Sequence, residues 1–223
     1  MKPFQPVSAF AILLVGSVVL VAQDPLKVDA GHYKVLAENA TVRVLKVDYA
    51  AGAKSAMHQH PDALIVPLSE ANVRFTMAGG KSEDAAMGNE SAIFTPATTH
   101  SVTNLGKGRI DGILLEFKSP APGKATIPTS RPNMAIKVLA DGPRAVAYRV
   151  TADPSFQEPA GSKHEYDQVV IALGPSQMSL SVDGKPAKSS WSRGDVQLIG
   201  RGVPHESKNA SGKPVDFIIV GIK

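Results

Sequence analysis

Five of the six histidines in this 223-residue chain fall inside two recurring sequence patterns. His58 and His60 stand one residue apart in Gly52-Ala-Lys-Ser-Ala-Met-His-Gln-His-Pro-Asp62, and His100 follows in Thr95-Pro-Ala-Thr-Thr-His-Ser-Val-Thr-Asn104. Side chains alternate faces along an extended strand, so His58 and His60 point the same way, and an imidazole from a later strand can converge on them. Three neutral imidazoles suit a divalent transition metal (Zn, Fe, Ni, Cu or Mn) and leave coordination positions open for a small molecule. The chain has no cysteine, which excludes disulfides, thiolate metal sites and cysteine nucleophiles. The competing reading is a metal-free interior in which the same histidines are simply hydrogen-bonded. Nucleotide loops, serine-nucleophile elbows and zinc-protease motifs are absent.

The elements that must carry these residues are strands. Thr41–Tyr49, Ala63–Leu68, Val73–Met77, Ser91–Thr95 and Ile110–Lys118 are short apolar runs bounded by Gly, Pro, Asn and Asp, with no sustained 3.6-residue period. Many short strands at regular spacing predict an all-β chain of sandwich or barrel type. Residues 119–133 hold four prolines, too many for a central strand, and read as a semi-rigid linker.

Beyond that linker the first half recurs. Lys34-Val-Leu-Ala-Glu-Asn39 is echoed by Lys137-Val-Leu-Ala-Asp-Gly142, and His60, His100 and Asn104 by His164, His205 and Asn209. Gly112-Ile-Leu-Leu-Glu-Phe-Lys118 matches Phe217-Ile-Ile-Val-Gly-Ile-Lys223 at the ends of the two halves. The offset drifts only from 103 to 105 residues, as expected of a duplicated domain with small loop changes. Asn104 and Asn209 read as turn-stabilising side chains. Phe94, Val66 and Leu64 are expected to line an apolar pocket around the first histidines, and the single Trp191 to sit at an edge or a barrel mouth.

Gly52 through His58-Gln-His60, with Gly194 through Gly200, Gly202, His205 and Asn209, resembles the two motifs of the cupin superfamily; Pro96 to Asn104 resembles a shorter form of the second. The resemblance spans nearly the whole chain and implies a secreted bacterial bicupin of two tandem jelly-roll β-barrels. Its expected organisation is a signal peptide over 1–22, a first barrel over 30–118, a linker over 119–133 and a second barrel over 134–223. In that family a metal is held by His-x-His, a carboxylate a few residues on and the second-motif histidine. Carried over, this implies a metal on His58, His60 and His100. The glutamate position falls near Ala63 or Leu64, which cannot ligate; Asp62 is a substitute by parity, and Glu70 reads as solvated. In the second copy Ser162 replaces the first histidine, which leaves a weaker set of His164, Gln168 and His205, with Asp167 adjacent.

The N-terminus carries one early lysine and an apolar run from Val7 to Ala22, broken by Ser8, Gly16 and Ser17. A run of sixteen residues is short for a membrane span, which needs roughly 20, and fits a secretory signal, so a secreted or periplasmic location is expected with no stable span after cleavage. The charge of +4 is scattered along the chain and only 5% of residues are aromatic, which argues against a nucleic-acid partner. The expected partner is a small-molecule ligand or substrate, and a homodimer is compatible with the sequence. Two functional readings follow. One is a metal-dependent enzyme of dioxygenase or isomerase type; the other is a binding or sensing module without turnover.

Overall fold

The computed structural model describes residues 23–118, 123–128 and 130–223. The expected signal segment lies outside these, as does part of the proline-rich stretch. A single helical turn, α1 (Pro25–Val28), is capped by the Asp24 side chain, which accepts the Leu26 N–H at 2.9 Å. All other regular structure among the described residues is β, as the sequence pattern predicts.

The first half contributes β1 (Tyr33–Glu38), β2 (Val42–Tyr49), β3 (His58–His60), β4 (Ala63–Pro67), β5 (Ala71–Met77), β6 (Ser82–Met87), β7 (Ile93–Thr95), β8 (Thr98–Asn104) and β9 (Ile110–Phe117). They form a five-stranded sheet in the order β1-β2-β9-β4-β7 facing a four-stranded sheet β3-β8-β5-β6. The second half contributes β10 (Met134–Asp141), β11 (Ala145–Ala152), β12 (Asp167–Ala172), β13 (Ser176–Val182), β14 (Lys185–Trp191), β15 (Val196–Ile199), β16 (His205–Asn209) and β17 (Val215–Ile222). Its five-stranded sheet, β10-β11-β17-β12-β15, has the same order as the first. Even the bulge recurs, between Val35 and Ala37 in β1 and between Val138 and Ala140 in β10.

One strand does not recur. The second sheet of the second barrel is only β14-β13-β16, and the stretch matching β3 makes a single bridge, Ser162 to His205. The cause is local: Pro159 to Ser162 forms a turn, with Ser162 N–H on the Pro159 carbonyl and Gly161 at φ +73°.

Among the described residues three apolar clusters form the core. One fills the first barrel (Tyr33, Leu45, Tyr49, Val73, Leu114) and one the second (Tyr148, Phe156, Met178, Trp191, Phe217). The third joins the barrels: Leu64, Val66, Ile113 and Leu115 from one five-stranded sheet pack on Val169, Ile171, Ile218 and Val220 from the other. Strands buried on both faces lose the alternation of a half-exposed strand, so β4 reads as a continuous apolar run. Arg193 clamps this junction from the side, donating to the Leu68 and Leu173 carbonyls at 2.7 and 2.6 Å and pairing with Glu90 at 2.8 Å. Close approach of the barrels also explains Gly142, which stands where the repeat has Asn39. A Cβ there would lie 2.5 Å from the ring of Phe94.

Candidate metal centre

His58 and His60 lie on β3, which pairs antiparallel with β8 in a register that sets His58 directly opposite His100. Both strands turn these side chains into the first barrel, where all three are buried. One ligating nitrogen from each lies within 4.8 Å of the others, so the three predicted ligands converge. Two features hold the strands in place. Gly52, at φ +72°, makes the tight turn that leads into β3. The Asn104 amide lies within 3.2 Å of the Tyr49, Ala50 and Gly108 carbonyls and its oxygen accepts from Gly106 N–H, which ties that turn to the end of β8. Asn209 repeats every one of these contacts in the second barrel, so the turn-stabilising role expected of both residues is observed.

Hydrogen bonds set the tautomers. His58 donates Nδ1–H to the Ala56 carbonyl at 2.7 Å, and His60 donates Nδ1–H to Glu116 Oε1 at 2.5 Å. In the neutral ring each presents its Nε2 lone pair toward the barrel interior, and the carboxylate behind His60 fixes the orientation of its ring. The His58 lone pair accepts from the Tyr33 hydroxyl at 3.2 Å, and Tyr33 in turn accepts from Tyr49 at 2.9 Å. Burial pushes the Tyr33 phenol well above its ordinary pKa, so it remains a donor. Burial, reinforced by its two histidine neighbours, lowers His100 to about 3, and burial also lowers His58. These imidazoles are neutral at physiological pH, the state a metal requires.

Glu116 is the functional residue that sequence reasoning missed. It is 1% exposed on β9, 56 residues from His60, and its other oxygen accepts from Arg43 Nε at 2.6 Å. Arg43 in turn pairs with Asp24 at 2.7 Å. The sole sequence signal was a glutamate inside the apolar run Gly112–Lys118. The carboxylates closer in sequence lie elsewhere: Asp62 is exposed and accepts the Ala97 N–H, and Glu70 accepts the Asn89 N–H. His32 stacks on Tyr49 and bonds Asp29 rather than joining the cluster.

Beside the imidazoles lies a cavity of about 240 Å3, bordered by His60, His100, Tyr33, Phe75, Ile65 and Leu114. The expected lining by Phe94, Val66 and Leu64 is corrected here: these residues face the other barrel, and Ile65 and Ile93, one position out of phase, face the cavity. A strand apolar on both faces does not reveal its inward parity, and a one-residue shift exchanges the faces. Among the described residues no lysine or arginine borders the cavity, and Asp111, the one carboxylate among them, lies 3.4 Å from Lys46.

In the second barrel, His164 and His205 meet with their ring centres 4.8 Å apart. Gln168 is buried on β12 and lines the interior, while Asp167 is spent between barrels on Asn39, Thr41 and Arg201 N–H. The carboxylate that joins the two histidines is Glu158, on the opposite side of Ser162 from Gln168 in sequence. Trp191 is not at an edge: it is buried in the second core, donates to the Met178 carbonyl at 2.8 Å and meets Phe217 edge-on.

The fold is a pair of jelly-roll β-barrels of cupin type, the first with an inward-facing histidine cluster. No family model and no curated protein matches the chain. Solved structures do. AerE from Microcystis aeruginosa is 14% identical with a TM-score of 0.63, over 86% of this chain and 97% of that one. A cupin 2 conserved barrel domain protein from Leptotrichia buccalis is 13% identical with a TM-score of 0.57, over 86% and 88%. Salicylate 1,2-dioxygenase from Pseudoaminobacter salicylatoxidans, in a structure of its adducts with gentisate, is 11% identical with a TM-score of 0.62, over 91% and 75%. At such identities the likeness shows the fold alone.

Proposed function

We propose that this chain is a secreted bicupin whose first barrel holds a divalent transition metal through His58, His60 and His100 and acts on a small, largely apolar organic molecule. The observation that carries the reading is the convergence of three buried imidazoles, two of which border an apolar cavity. The donor set fits a metal because both Nδ1 atoms of the His-x-His pair are committed as donors, which aims Nε2 inward. Bound there, a metal supplies Lewis acidity or, if redox-active, oxygen activation.

The chain's own residues do the rest. Glu116 and the Ala56 carbonyl hold His60 and His58 in one tautomer, Tyr33 holds a proton beside His58, and Phe75, Ile65 and Leu114 exclude water from the space a substrate would fill. With no cation on the cavity wall, a second anionic group on the ligand would have no partner. A homodimer and a periplasmic destination belong to the same proposal, and N-terminal sequencing of exported protein checks the cleavage near residue 22.

One observation favours a second reading, a binding or sensing module. Neither nearby carboxylate is free to serve as a base: Glu116 is committed to His60 and Arg43, and Asp111 lies beside Lys46. The deciding experiment has two stages. Metal content is compared between tag-free protein and the His58→Ala/His100→Ala variant, and neutral aromatic or aliphatic compounds that raise the melting temperature of the loaded protein are then assayed for turnover. Equal metal content in the two proteins, at whatever level, ends the proposal. Metal and ligand binding without turnover selects the module.

A further inference from the structure

We propose that the second barrel holds its own divalent cation, on Glu158, His164 and His205, and that this site is structural and takes no organic substrate. The inference does not depend on the first barrel.

The geometry begins with His205. Its Nδ1 lies 3.1 Å from the Val203 carbonyl, which can only accept, so Nδ1 carries a hydrogen and Nε2 is the nitrogen turned toward the cluster. The residue is 3% exposed, and Nε2 has no hydrogen-bond partner. The group it faces is Glu158 Oε2, 3.5 Å away, itself an acceptor. His164 Nε2 stands 4.0 Å from the other oxygen, Oε1. The two rings stand with their centres 4.8 Å apart, so both face the same carboxylate. Two imidazole nitrogens and a carboxylate oxygen, all within 4.8 Å, form a ligand set that a cation between them would join, and it would give buried His205 Nε2 the partner it lacks.

Glu158 reaches this position by a substitution outside the histidine pattern. Its N–H bonds the Ser207 carbonyl as Ser55 N–H bonds Val102 in the first barrel, so Glu158 stands in the place of Ser55. The second copy thus lacks an imidazole, at Ser162, and gains a carboxylate from the preceding strand-like segment. Arg131 donates to Oε1 at 2.9 Å and Ser207 to Oε2 at 3.2 Å, which orient the carboxyl group with Oε2 toward His205. Arg131 also adds a positive charge, so Glu158 is shared between guanidinium and metal, and binding is weaker than the ligand set alone implies.

Size decides what the site can take. The cavity beside this cluster holds about 50 Å3 against about 240 Å3 in the first barrel, because Trp191, Met178, Leu180 and Phe217 fill it. The smaller space favours an ion with its waters over the organic molecule that the first barrel's cavity could take. Two imidazoles and one carboxylate suit zinc, manganese or iron(II).

The test uses full-length protein with the first site removed, His58→Ala/His60→Ala/His100→Ala, titrated with Co(II) and followed by its visible d–d bands and by melting temperature. The expected result is saturation at a single equivalent with a rise in melting temperature. Adding Glu158→Gln weakens binding about tenfold or more, while Gln168→Ala leaves it unchanged. Should Glu158→Gln fail to fold by circular dichroism, His205→Gln takes its place with the same expectation. No Co(II) binding at millimolar metal, or binding indifferent to Glu158 and His205, overturns the proposal. So does an organic ligand bound in the second barrel.

Discussion

Glu116→Gln is the most informative single change, because one buried carboxylate serves both the fold and the histidine cluster. Glu116 accepts from His60 Nδ1–H at 2.5 Å and from Arg43 Nε–H at 2.6 Å. Hydrogen bonds to charged groups are worth about 1.5–3 kcal/mol each, and removing one partner of a buried ion pair costs about 3–5 kcal/mol. A glutamine has a single acceptor oxygen, so its amide N–H2 must confront either Arg43 or His60. Arg43 cannot yield a proton. His60 can, by shifting its hydrogen from Nδ1 to Nε2, and that shift removes the lone pair a metal would use. The stability loss in the metal-free protein is expected near the low end, about 3 kcal/mol, since Arg43 keeps Asp24 at 2.7 Å. Metal affinity should fall about 10- to 100-fold, the usual effect of removing a carboxylate behind a ligating histidine. Urea denaturation of metal-free protein reads the first quantity, and competition against a chromophoric zinc chelator reads the second, in protein whose second cluster carries His205→Gln. An affinity within threefold of the parent, in a folded variant, refutes the argument that Glu116 sets the His60 tautomer.

Three further outcomes follow from the same contacts. The metal-free protein should lose stability as pH falls below about 6.5, because an unfolded histidine takes a proton near that value whereas buried His100 does not until about 3. The unfolded state binds more protons throughout that window; His100 alone represents on the order of 4 kcal/mol, and urea midpoints that rise on acidification would contradict it. Gly142→Ala should cost about 1–3 kcal/mol by forcing a methyl against Phe94 across the barrel junction, and an unchanged melting temperature would show that the junction gives way easily. Asn104→Ala should cost about 2–4 kcal/mol and also weaken metal binding, since the turn it holds carries β3, whereas Asn209→Ala should lower stability alone.

Much of the architecture was legible before any coordinates. Short apolar runs between turn residues determine strands, and the offset of 103 to 105 residues determines that those strands form the same sheet twice. The pairing of His58 and His60 on one face is a property of strand geometry, and the opposition of His58 to His100 is a matter of register. What the sequence could not determine are contacts between residues far apart in the chain or between the two copies. Glu116 joins His60 across 56 positions because β9 runs through the sheet facing β3, and its one local mark, a glutamate inside an apolar run, does not say which residue it meets. Glu158 replaces a serine of the first copy at a position that no histidine spacing singles out. Leu64 and Val66 face the second barrel rather than the cavity because β4 is buried on both sides, and the hydrophobic effect carries no sign that says which face is inward. The local periodicities thus determined the strands and the histidine cluster; the packing of sheet on sheet decided which carboxylates complete the sites and which cavity stays open.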